Sequence, residues 1–320
     1  MGLSVVIPTY KNTNFLSELF DSIEKNNFDG ELEVLIGIDN CIESLEFILK
    51  RNNFPTYFSF YFFLENVGPY IIKNSLSQES KFDKILFFDS DDILQPNMFH
   101  YINYYLDRYD LVKPKYQNFE DKDGQRVFQE SKGTFGEGVF GIKKDLFDSV
   151  NGFEGWKCAA DSDLMGRLYK KTHSLVHTPH ILFYRRLHTQ SLTIHPETGY
   201  KSKLRSQYYL ISKKKTDEDI VLSEMKISTY EIVNFNRNYD QYPPGQPFMD
   251  EVQIEIQTKE EKQNKLKELL KTNEVKYFLQ KDKKTIDYKN LNYKTVHQSK
   301  SNVNTALKKA KLENLGRKYR

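Results

Sequence analysis

Residues 84–99, KILFFDSDDILQPNMF, end an apolar segment on a cluster of carboxylates. Three aspartates, Asp89, Asp91 and Asp92, fall within four positions. Carboxylates this close repel one another, and burial at a strand end adds a desolvation cost. An Asp-x-Asp pair can share a hard divalent cation, and such a cation can neutralise a diphosphate leaving group. The alternative is helix capping by Asp91 or Asp92, because a helical pattern follows.

A second pair of carboxylates, Asp161 and Asp163, precedes the helical pattern LMGRLYKK. Their spacing alone favours helix capping over catalysis, because acidic side chains stabilise the positive end of a helix. A third polar group, Arg185-Arg186-Leu187-His188, ends a strand-like segment.

Strand and helix patterns alternate through the first half of the chain, which predicts βαβ units and a parallel sheet. The predicted strands are 3–7, ended by Pro8, and 32–38, 57–64 and 84–88; the predicted helices are 15–25, 41–51, 69–76 and 98–106, the last with Pro96 in its first turn. Ligands of such sheets bind at the carboxyl ends of the strands. Asp39, Asn66 and Asp89 each follow a predicted strand, so we expect them along one edge.

The rest of the chain predicts a mixed edge and then an appendage. A glycine-rich middle has strand patterns at 111–116, 126–130 and 181–184 and helical patterns at 144–149 and 161–171. We expect an α/β domain over 1–215, a small α+β appendage over 216–280 with a helix at 259–271, and a basic, partly helical tail over 281–320.

Composition excludes several classes of protein. Hydrophobic residues make up 38% of the chain, enough for a core, so wholesale disorder is excluded. Two cysteines, Cys41 and Cys158, give neither a zinc motif nor a disulfide framework. We see no signal peptide and no apolar run of transmembrane length, which predicts a soluble, cytoplasmic protein of a bacterial or virus-infected cell.

Seven ordered segments carry a resemblance to a known family. They are SVVIPTYKNTNFLSELFDSI at 4–23, LIGIDN at 35–40, ENVGPYIIKN at 65–74, ILFFDSDDILQPNMF at 85–99, GVFGIKKDLFDSVNGF at 138–153, AADSDLMGRL at 159–168 and YRRLHTQSLT at 184–193. Together they resemble the family 2 glycosyltransferases, an inverting group with the GT-A fold, over residues 3–195. The resemblance implies a Rossmann-like mixed α/β sheet flanked by helices.

The resemblance implies a nucleotide-sugar site, with UDP as the expected nucleotide. The residues matched to this site are Pro8, Thr9, Tyr10, Asp39, Asn66, Gly68, Lys73, Asp89, Ser90 and Arg186. Asp39 matches an acidic residue that binds uracil, but this chain has Ile38-Asp39-Asn40-Cys41 where the family has two acids and Gly-Ser. Asn66 as a turn residue and Lys73 on a solvated helix face are the alternatives.

The resemblance also implies a catalytic base and a metal site. Asp161 matches the base that deprotonates the acceptor hydroxyl, and Asp163 supports it. Mn²⁺ or Mg²⁺ would be held by Asp89, Asp91 and His188, and Arg186 would meet the diphosphate. A structural role for His188 is the alternative.

The predicted function is metal-dependent, inverting transfer of a sugar from a nucleotide-sugar to an acceptor hydroxyl, most simply of a glycan. The basic 281–320 segment, with twelve Lys and Arg against three Asp and Glu, raises the alternative of hydroxylated-base DNA as acceptor, possibly viral. A second alternative is a non-catalytic sugar-nucleotide binding module. Trp156, which precedes the proposed base, is expected either to stack on the acceptor or to lie in the core.

Overall fold

The computed structural model describes residues 2–129, 134–217, 224–234, 276–281 and 284–286. Its strands are β1 (Gly2–Thr9), β2 (Glu31–Asp39), β3 (Phe58–Phe63), β4 (Lys84–Phe87), β5 (Ile93–Leu94), β6 (Leu111–Lys122), β7 (Gln125–Phe128), β8 (Thr134–Phe135), β9 (Phe140–Lys143), β10 (Leu175–Arg186), β11 (Tyr230–Asn234), β12 (Lys276–Lys281) and β13 (Lys284–Ile286). Its helices are α1 (Thr13–Glu24), α2 (Ile42–Arg51), α3 (Pro69–Glu79), α4 (Met98–Leu106), α5 (Lys144–Ser149), α6 (Ala160–Lys171) and α7 (Lys203–Asp217).

The described strands form one mixed sheet in the order β13-β12-β11-β3-β2-β1-β4-β9-β6-β10-β5. Strands β3, β2, β1 and β4 are parallel, and Val5 of β1 pairs with Val34 of β2 and Leu86 of β4. Strand β9 runs antiparallel between β4 and β6, while β6 and β10 are parallel to each other. The predicted mixed α/β sheet is therefore confirmed.

Each face of the sheet carries its own hydrophobic core, because side chains of a strand alternate between the two faces. Val5 and Ile7 pack with residues of α1, α2 and α4. Val6, between them, packs on the other face with residues of α3, α5 and α6. The sheet is thus covered on both sides, and its strand ends remain as the place for a site.

Strand β1 continues through Pro8 to Thr9, so the prediction that Pro8 ends it is wrong. Pro8 pairs with Gly37 of β2, whereas the pairing of β1 with β4 stops at Val6. The missing N–H of Pro8 therefore breaks no hydrogen bond to β4.

One helix begins later than its predicted first turn, and another helix was not predicted. Helix α4 begins at Met98 after Asn97, whose φ of 70° is left-handed, so Pro96 lies before the helix and not in its first turn. Helix α7 was not predicted, because its sequence, KLRSQYYLISKKKTD, has no regular apolar spacing.

The C-terminal strands extend the same sheet beyond β3. Strand β11 is antiparallel to β3, with Val233 opposite Phe60, and β12 and β13 follow. The predicted helix at 259–271 and the helical part of the 281–320 tail lie outside the described residues. The domain boundaries at 215 and 280 stay a prediction. None of the helices in the described part of the chain has the length and apolar character of a transmembrane span.

Candidate active site

The predicted site residues converge at the carboxyl ends of the central parallel strands. Strand β1 ends at Thr9, β2 at Asp39 and β4 at Phe87, two residues before Asp89. Thr9 is 2% exposed, and its hydroxyl oxygen has no hydrogen-bond partner in the structure. Tyr10 is exposed, and the Lys11 amine lies 5.2 Å from the centre of its ring.

Asp39 closes the turn that precedes helix α3. Its Oδ1 accepts a hydrogen bond from Val67 N at 2.7 Å, and its Oδ2 accepts one from Gly68 N at 3.0 Å and one from Asn66 Nδ2 at 3.1 Å. Burial raises the pKa of Asp39, and the two backbone donors oppose the rise. Gly68 has a φ of 85°, a left-handed conformation that favours glycine. The structure therefore joins three predicted residues, and uracil binding by Asp39 stays a prediction.

Lys73 lies inside the protein, so the alternative of a solvated helix face is wrong. Its amine donates to Asp89 Oδ1 at 2.8 Å and to the carbonyl oxygen of Gly138 at 3.0 Å, and its side chain is 2% exposed. Burial raises the pKa of Asp89, and the Asp91 carboxylate adds to the rise while Lys73 opposes it. Lys73 thus holds Oδ1 of Asp89 close to Gly138, which lies just before β9.

Asp91 and His188 meet across the site. The distance from Asp91 Oδ2 to His188 Nε2 is 2.8 Å, and both side chains keep some exposure, at 22% and 15%. The described residues form no group of three or more His, Cys, Asp or Glu side chains that could hold a metal. Asp89 as a third ligand beside Asp91 and His188 stays a prediction. A carboxylate oxygen beside an imidazole nitrogen fits a divalent cation that takes its other ligands from phosphate oxygens and water.

The capping prediction for Asp91 and Asp92 is wrong, because helix α4 begins only at Met98, beyond the short strand β5. Asp92 Oδ1 instead accepts a hydrogen bond from Arg186 N at 2.9 Å. Burial, then Asp91 and then Asp89, raise the pKa of Asp92 well above its usual value. Ser90 Oγ accepts a hydrogen bond from Asn12 Nδ2 at 3.0 Å, which ties this loop to the start of α1.

Arg186 is 3% exposed, and its guanidinium connects three segments that surround the site. Its guanidinium donates to the Asp91 carbonyl oxygen at 3.0 Å and to the carboxylates of Asp121 and Glu18. These contacts come from three separate segments, and contact of Arg186 with a diphosphate stays a prediction. Its neighbour Arg185, which was not assigned a role, donates to Thr193 Oγ1 at 2.9 Å.

Asp161 lies in the first turn of α6, where Ala159 is the N-cap residue, so Asp161 does not occupy the capping position. Its Oδ1 accepts hydrogen bonds from the Tyr70 hydroxyl at 3.2 Å and from Ser162 N at 3.0 Å. Asp163 points elsewhere: it is 2% exposed and forms an ion pair with Arg167 at 2.8 Å. The two carboxylates therefore have separate surroundings.

Gly138 lies between the two carboxylate groups. A Cβ atom at this position would be 3.1 Å from Asp89 Oδ2 and 3.8 Å from Asp161 Oδ2. The structure thus brings together two residues that are 72 positions apart in the sequence. A small molecule that contacts one carboxylate at this point lies next to the other.

Sequence reasoning missed two residues that contact this group. Tyr70 donates to Asp161, and its position after Gly68-Pro69 at the start of a predicted helix was the only available signal. Glu137 accepts a hydrogen bond from the Ser162 hydroxyl and sits in a glycine-rich loop with no motif.

Trp156 packs at the edge of one hydrophobic core and stacks on Tyr208 of α7. The ring centres are 4.6 Å apart and the planes differ by 4°. Trp156 therefore lies at the edge of the core and is only partly buried. Stacking of Trp156 on an acceptor stays a prediction.

The site is thus built on a mixed sheet, with acidic residues at the carboxyl ends of its parallel strands. A family model described as glycosyl transferase family 2 matches residues 4–165, half of the chain. The chain therefore belongs to this family. No curated protein sequence matches the chain.

Solved structures show the same fold at low identity. The chain resembles S. aureus TarS 1–349 in complex with UDP-GlcNAc at 20% identity and a TM-score of 0.51, over 60% of this chain and 60% of that chain. It resembles the mannosyltransferase PcManGT from Pyrobaculum calidifontis, in complex with GDP-Man and Mn²⁺, at 14% identity and a TM-score of 0.50, over 69% of this chain and 65% of that chain. The chain therefore spans less than two thirds of either protein.

Proposed function

We propose that this glycosyltransferase is a metal-dependent, inverting enzyme that moves a sugar from a nucleotide-sugar, UDP-linked, to a hydroxyl of a glycan acceptor. The observation that carries the proposal is that Asp89 and Asp161 both lie next to Gly138. A Cβ atom added at Gly138 would be 3.1 Å from Asp89 Oδ2 and 3.8 Å from Asp161 Oδ2. A donor held on the Asp89 side would present its sugar to an acceptor on the Asp161 side.

The donor side is assigned to the ends of β1, β2 and β4. Asp39 and the 66–68 turn would bind the base, and the unpaired hydroxyl of Thr9 offers a polar contact beside them. Lys73 keeps Asp89 oriented toward the donor. TarS was solved with UDP-GlcNAc and PcManGT with GDP-Man, which supports a nucleotide-sugar donor for this fold.

Asp91 and His188 are the residues we assign to a divalent cation, Mn²⁺ or Mg²⁺, because their donor atoms already meet at 2.8 Å. When bound, such a cation supplies positive charge to the departing diphosphate. Arg186 orients Asp91 and Asp92 through its hydrogen bonds, so that the carboxylate of Asp91 keeps its place at the sheet edge.

Asp161 is assigned as the general base. An inverting transfer needs one carboxylate that removes the acceptor proton as the hydroxyl attacks the sugar carbon, and it needs no covalent intermediate. Tyr70 and the Ser162 N–H both donate to Oδ1 of Asp161. Its Oδ2 is the oxygen nearer Gly138 and is left for the acceptor.

The assignment of domains belongs to this proposal. Residues 1–215 would form the catalytic domain, followed by the 216–280 appendage and the 281–320 tail. The part of the tail that the structure describes, Lys281 and Lys284–Ile286, lies in β12 and β13, and no observation on it favours DNA as the acceptor. Membership in the transferase family supports a catalytic role over the alternative of a purely binding module.

A thermal-shift screen of nucleotide-sugars with Mn²⁺ tests the donor and the metal together. A true donor at 100 times its Kd should raise the melting temperature by about 5 °C or more, since ligand binding stabilises the folded state by mass action. EDTA should abolish most of this shift. The substitution Asp91→Asn should also abolish most of the rise in melting temperature. Asp123→Asn, at an exposed turn, is the matched control and should show the same rise as the parent.

Equal stabilisation in Mn²⁺ and in EDTA would remove the cation from the proposal. No stabilisation by any nucleotide-sugar would remove the donor assignment. Transfer at the full rate in EDTA, after Mn²⁺ is removed, would contradict metal dependence in a separate assay.

A further inference from the structure

Six exposed hydrophobic side chains lie on helix α7 and on the 187–202 loop that precedes it. They are Leu192, Ile194 and Tyr200 of the loop and Tyr209, Leu210 and Ile211 of the helix, and we call them the α7 patch. Leu210, Tyr200 and Ile194 are the most exposed of the six, at 69%, 64% and 51%. Single exposed hydrophobic residues are normal on a protein surface, whereas a group of them marks an interaction site.

One buried arginine joins the two parts of the α7 patch. Arg205 of α7 is 3% exposed, and its guanidinium donates to the carbonyl oxygens of Thr198 at 2.7 Å and Leu192 at 3.1 Å. The same guanidinium lies 5.2 Å from the ring centre of Tyr200 and 3.5 Å from the hydroxyl oxygen of Tyr209. The loop is therefore folded against the helix, and the hydrophobic side chains of both belong to one surface.

The exposed charges around the α7 patch are almost all positive. Between residues 187 and 214 the exposed charged side chains are Lys201, Lys203, Lys213, Lys214 and one acid, Glu197. Lys203 lies seven positions before Leu210 and Lys213 three positions after it, so all three share one side of the helix. An apolar centre with lysines at both ends is typical of a helix that lies on a membrane surface.

This charge distinguishes the possible occupants of the α7 patch. A second copy of the chain would place lysines opposite lysines, because a two-fold interface uses the same patch on both subunits. The 281–320 segment, with twelve Lys and Arg against three Asp and Glu, has the same sign of charge. Nucleic acid would pair with the lysines, but its phosphates offer nothing to Leu210 and Ile194. An anionic lipid surface accepts both, because headgroups pair with the lysines and acyl chains surround the aliphatic side chains.

We propose that the α7 patch is a docking surface for a membrane that contains anionic lipids. The loop of the patch begins next to His188, which meets Asp91, and α7 packs on α6, whose first turn carries Asp161. A docked protein would hold its candidate active site close to the headgroup layer, where a membrane-anchored glycan acceptor would lie. This last consequence rests on the proposed function, whereas docking itself does not.

Flotation with lipid vesicles tests the docking on the full chain. The protein should bind vesicles of phosphatidylcholine with about 30% phosphatidylglycerol much more tightly than vesicles of phosphatidylcholine alone, because the lysines need anionic headgroups. Binding should weaken as the salt concentration rises, since salt screens exposed charges. No binding to the anionic vesicles, or equal binding to both kinds, would overturn the proposal.

Leu210→Gln tests the apolar part of the patch. Its affinity for the anionic vesicles should fall about tenfold, because one aliphatic side chain no longer enters the acyl layer. Val127→Thr is the matched control, since Val127 is also exposed but lies on β7, outside the patch. Both variants should melt at the parent temperature. Parent affinity for the vesicles in Leu210→Gln would contradict docking through this surface.

The double substitution Lys203→Gln/Lys213→Gln tests the charged part. Its affinity for the anionic vesicles should fall about tenfold or more, because each lysine near such a surface contributes to binding. Lys25→Gln/Lys50→Gln removes the same charge from exposed positions elsewhere and should keep most of the affinity. Equal losses in the two double variants would assign vesicle binding to net charge and overturn the assignment to the α7 patch.

Two further measurements identify the other occupants. A dimer of the parent by light scattering that becomes a monomer in Leu210→Gln would assign the patch to a second copy and overturn the proposal. Retention of duplex DNA without vesicle binding would assign it to nucleic acid, with the same consequence. Vesicle binding needs neither donor nor cation, so Asp161→Asn should bind vesicles like the parent. Failure of the proposed transfer and failure of docking are therefore distinguishable.

Discussion

At the residue scale, the environment of Asp89 depends on one lysine. Lys73 is the group that pairs with Asp89 and with the carbonyl oxygen of Gly138, and it is almost fully buried. Its removal leaves both acceptors without that donor. The same lysine was matched to the donor site by resemblance alone, so its structural contribution needs its own measurement.

Lys73→Met should lower the free energy of unfolding by about 1–3 kcal/mol, because two acceptors lose their hydrogen bonds. The matched control is Lys143→Met, whose ion pair with Asp110 is exposed at 41% and 35% and should cost under about 1 kcal/mol. Urea unfolding followed by circular dichroism measures both. Equal losses of unfolding free energy in the two variants would show that the buried contacts of Lys73 stabilise the protein no more than the exposed ion pair of Lys143 does.

The positions of single residues at strand ends were predictable, as for Asp39 and Asp89, while their roles stay a prediction. Their partners were not predictable. Tyr70 lies 91 residues from Asp161, and the Asp92 partner of the Arg186 N–H lies 94 residues from it. A sequence pattern reports neighbours within one element, whereas these contacts depend on how separate elements pack.

At the element scale, two glycines contact different parts of the molecule: Gly37 on β2 faces the core, and Gly138, just before β9, faces the site. An added Cβ at Gly37 of β2 would lie 2.2 Å from Ile72 Cγ2 in the core. An added Cβ at Gly138 would instead lie 3.1 Å from a carboxylate oxygen of Asp89. Neither glycine has a left-handed φ, so alanine differs from glycine here chiefly by volume.

Gly37→Ala should lower the free energy of unfolding by about 1–3 kcal/mol through overpacking. Gly138→Ala should leave stability nearly unchanged and lower kcat/KM by about tenfold or more, because the Asp89 carboxylate must move. Thermal melting and sugar transfer, measured on both variants, check the contrast. Parent kinetics in Gly138→Ala would show that the space beside Gly138 is not used in catalysis.

Elements with a clear apolar pattern were predictable, and the two-residue strands were not. The parallel strands β1 to β4 and helices α1 to α3 were predicted within a few residues, because apolar runs and periodic spacing mark them. Strands β5 and β8 have two residues each, which is too few for a pattern. Their positions follow from pairing with β10 and β6.

At the scale of the whole molecule, one sheet connects distant parts of the chain. Strand β11 pairs with β3 although nearly 170 residues separate Phe63 from Tyr230. The sequence predicted a separate appendage from 216, since its composition changes there. Composition carries no information on which strand edge a later segment will cover, which is why this pairing was not predicted.

In the proposed mechanism, Asp161 removes the acceptor proton while the donor is bound elsewhere in the site. The most direct measurement compares Asp161→Asn with the parent for nucleotide-sugar binding by calorimetry and for sugar transfer in the same preparation. The matched control is Asp163→Asn, which lies in the same turn but pairs with Arg167 and should lose stability before it loses transfer. We expect Asp161→Asn to bind the donor with the parent affinity and to transfer sugar about 10²–10⁴-fold more slowly. Transfer at the parent rate by Asp161→Asn would contradict it.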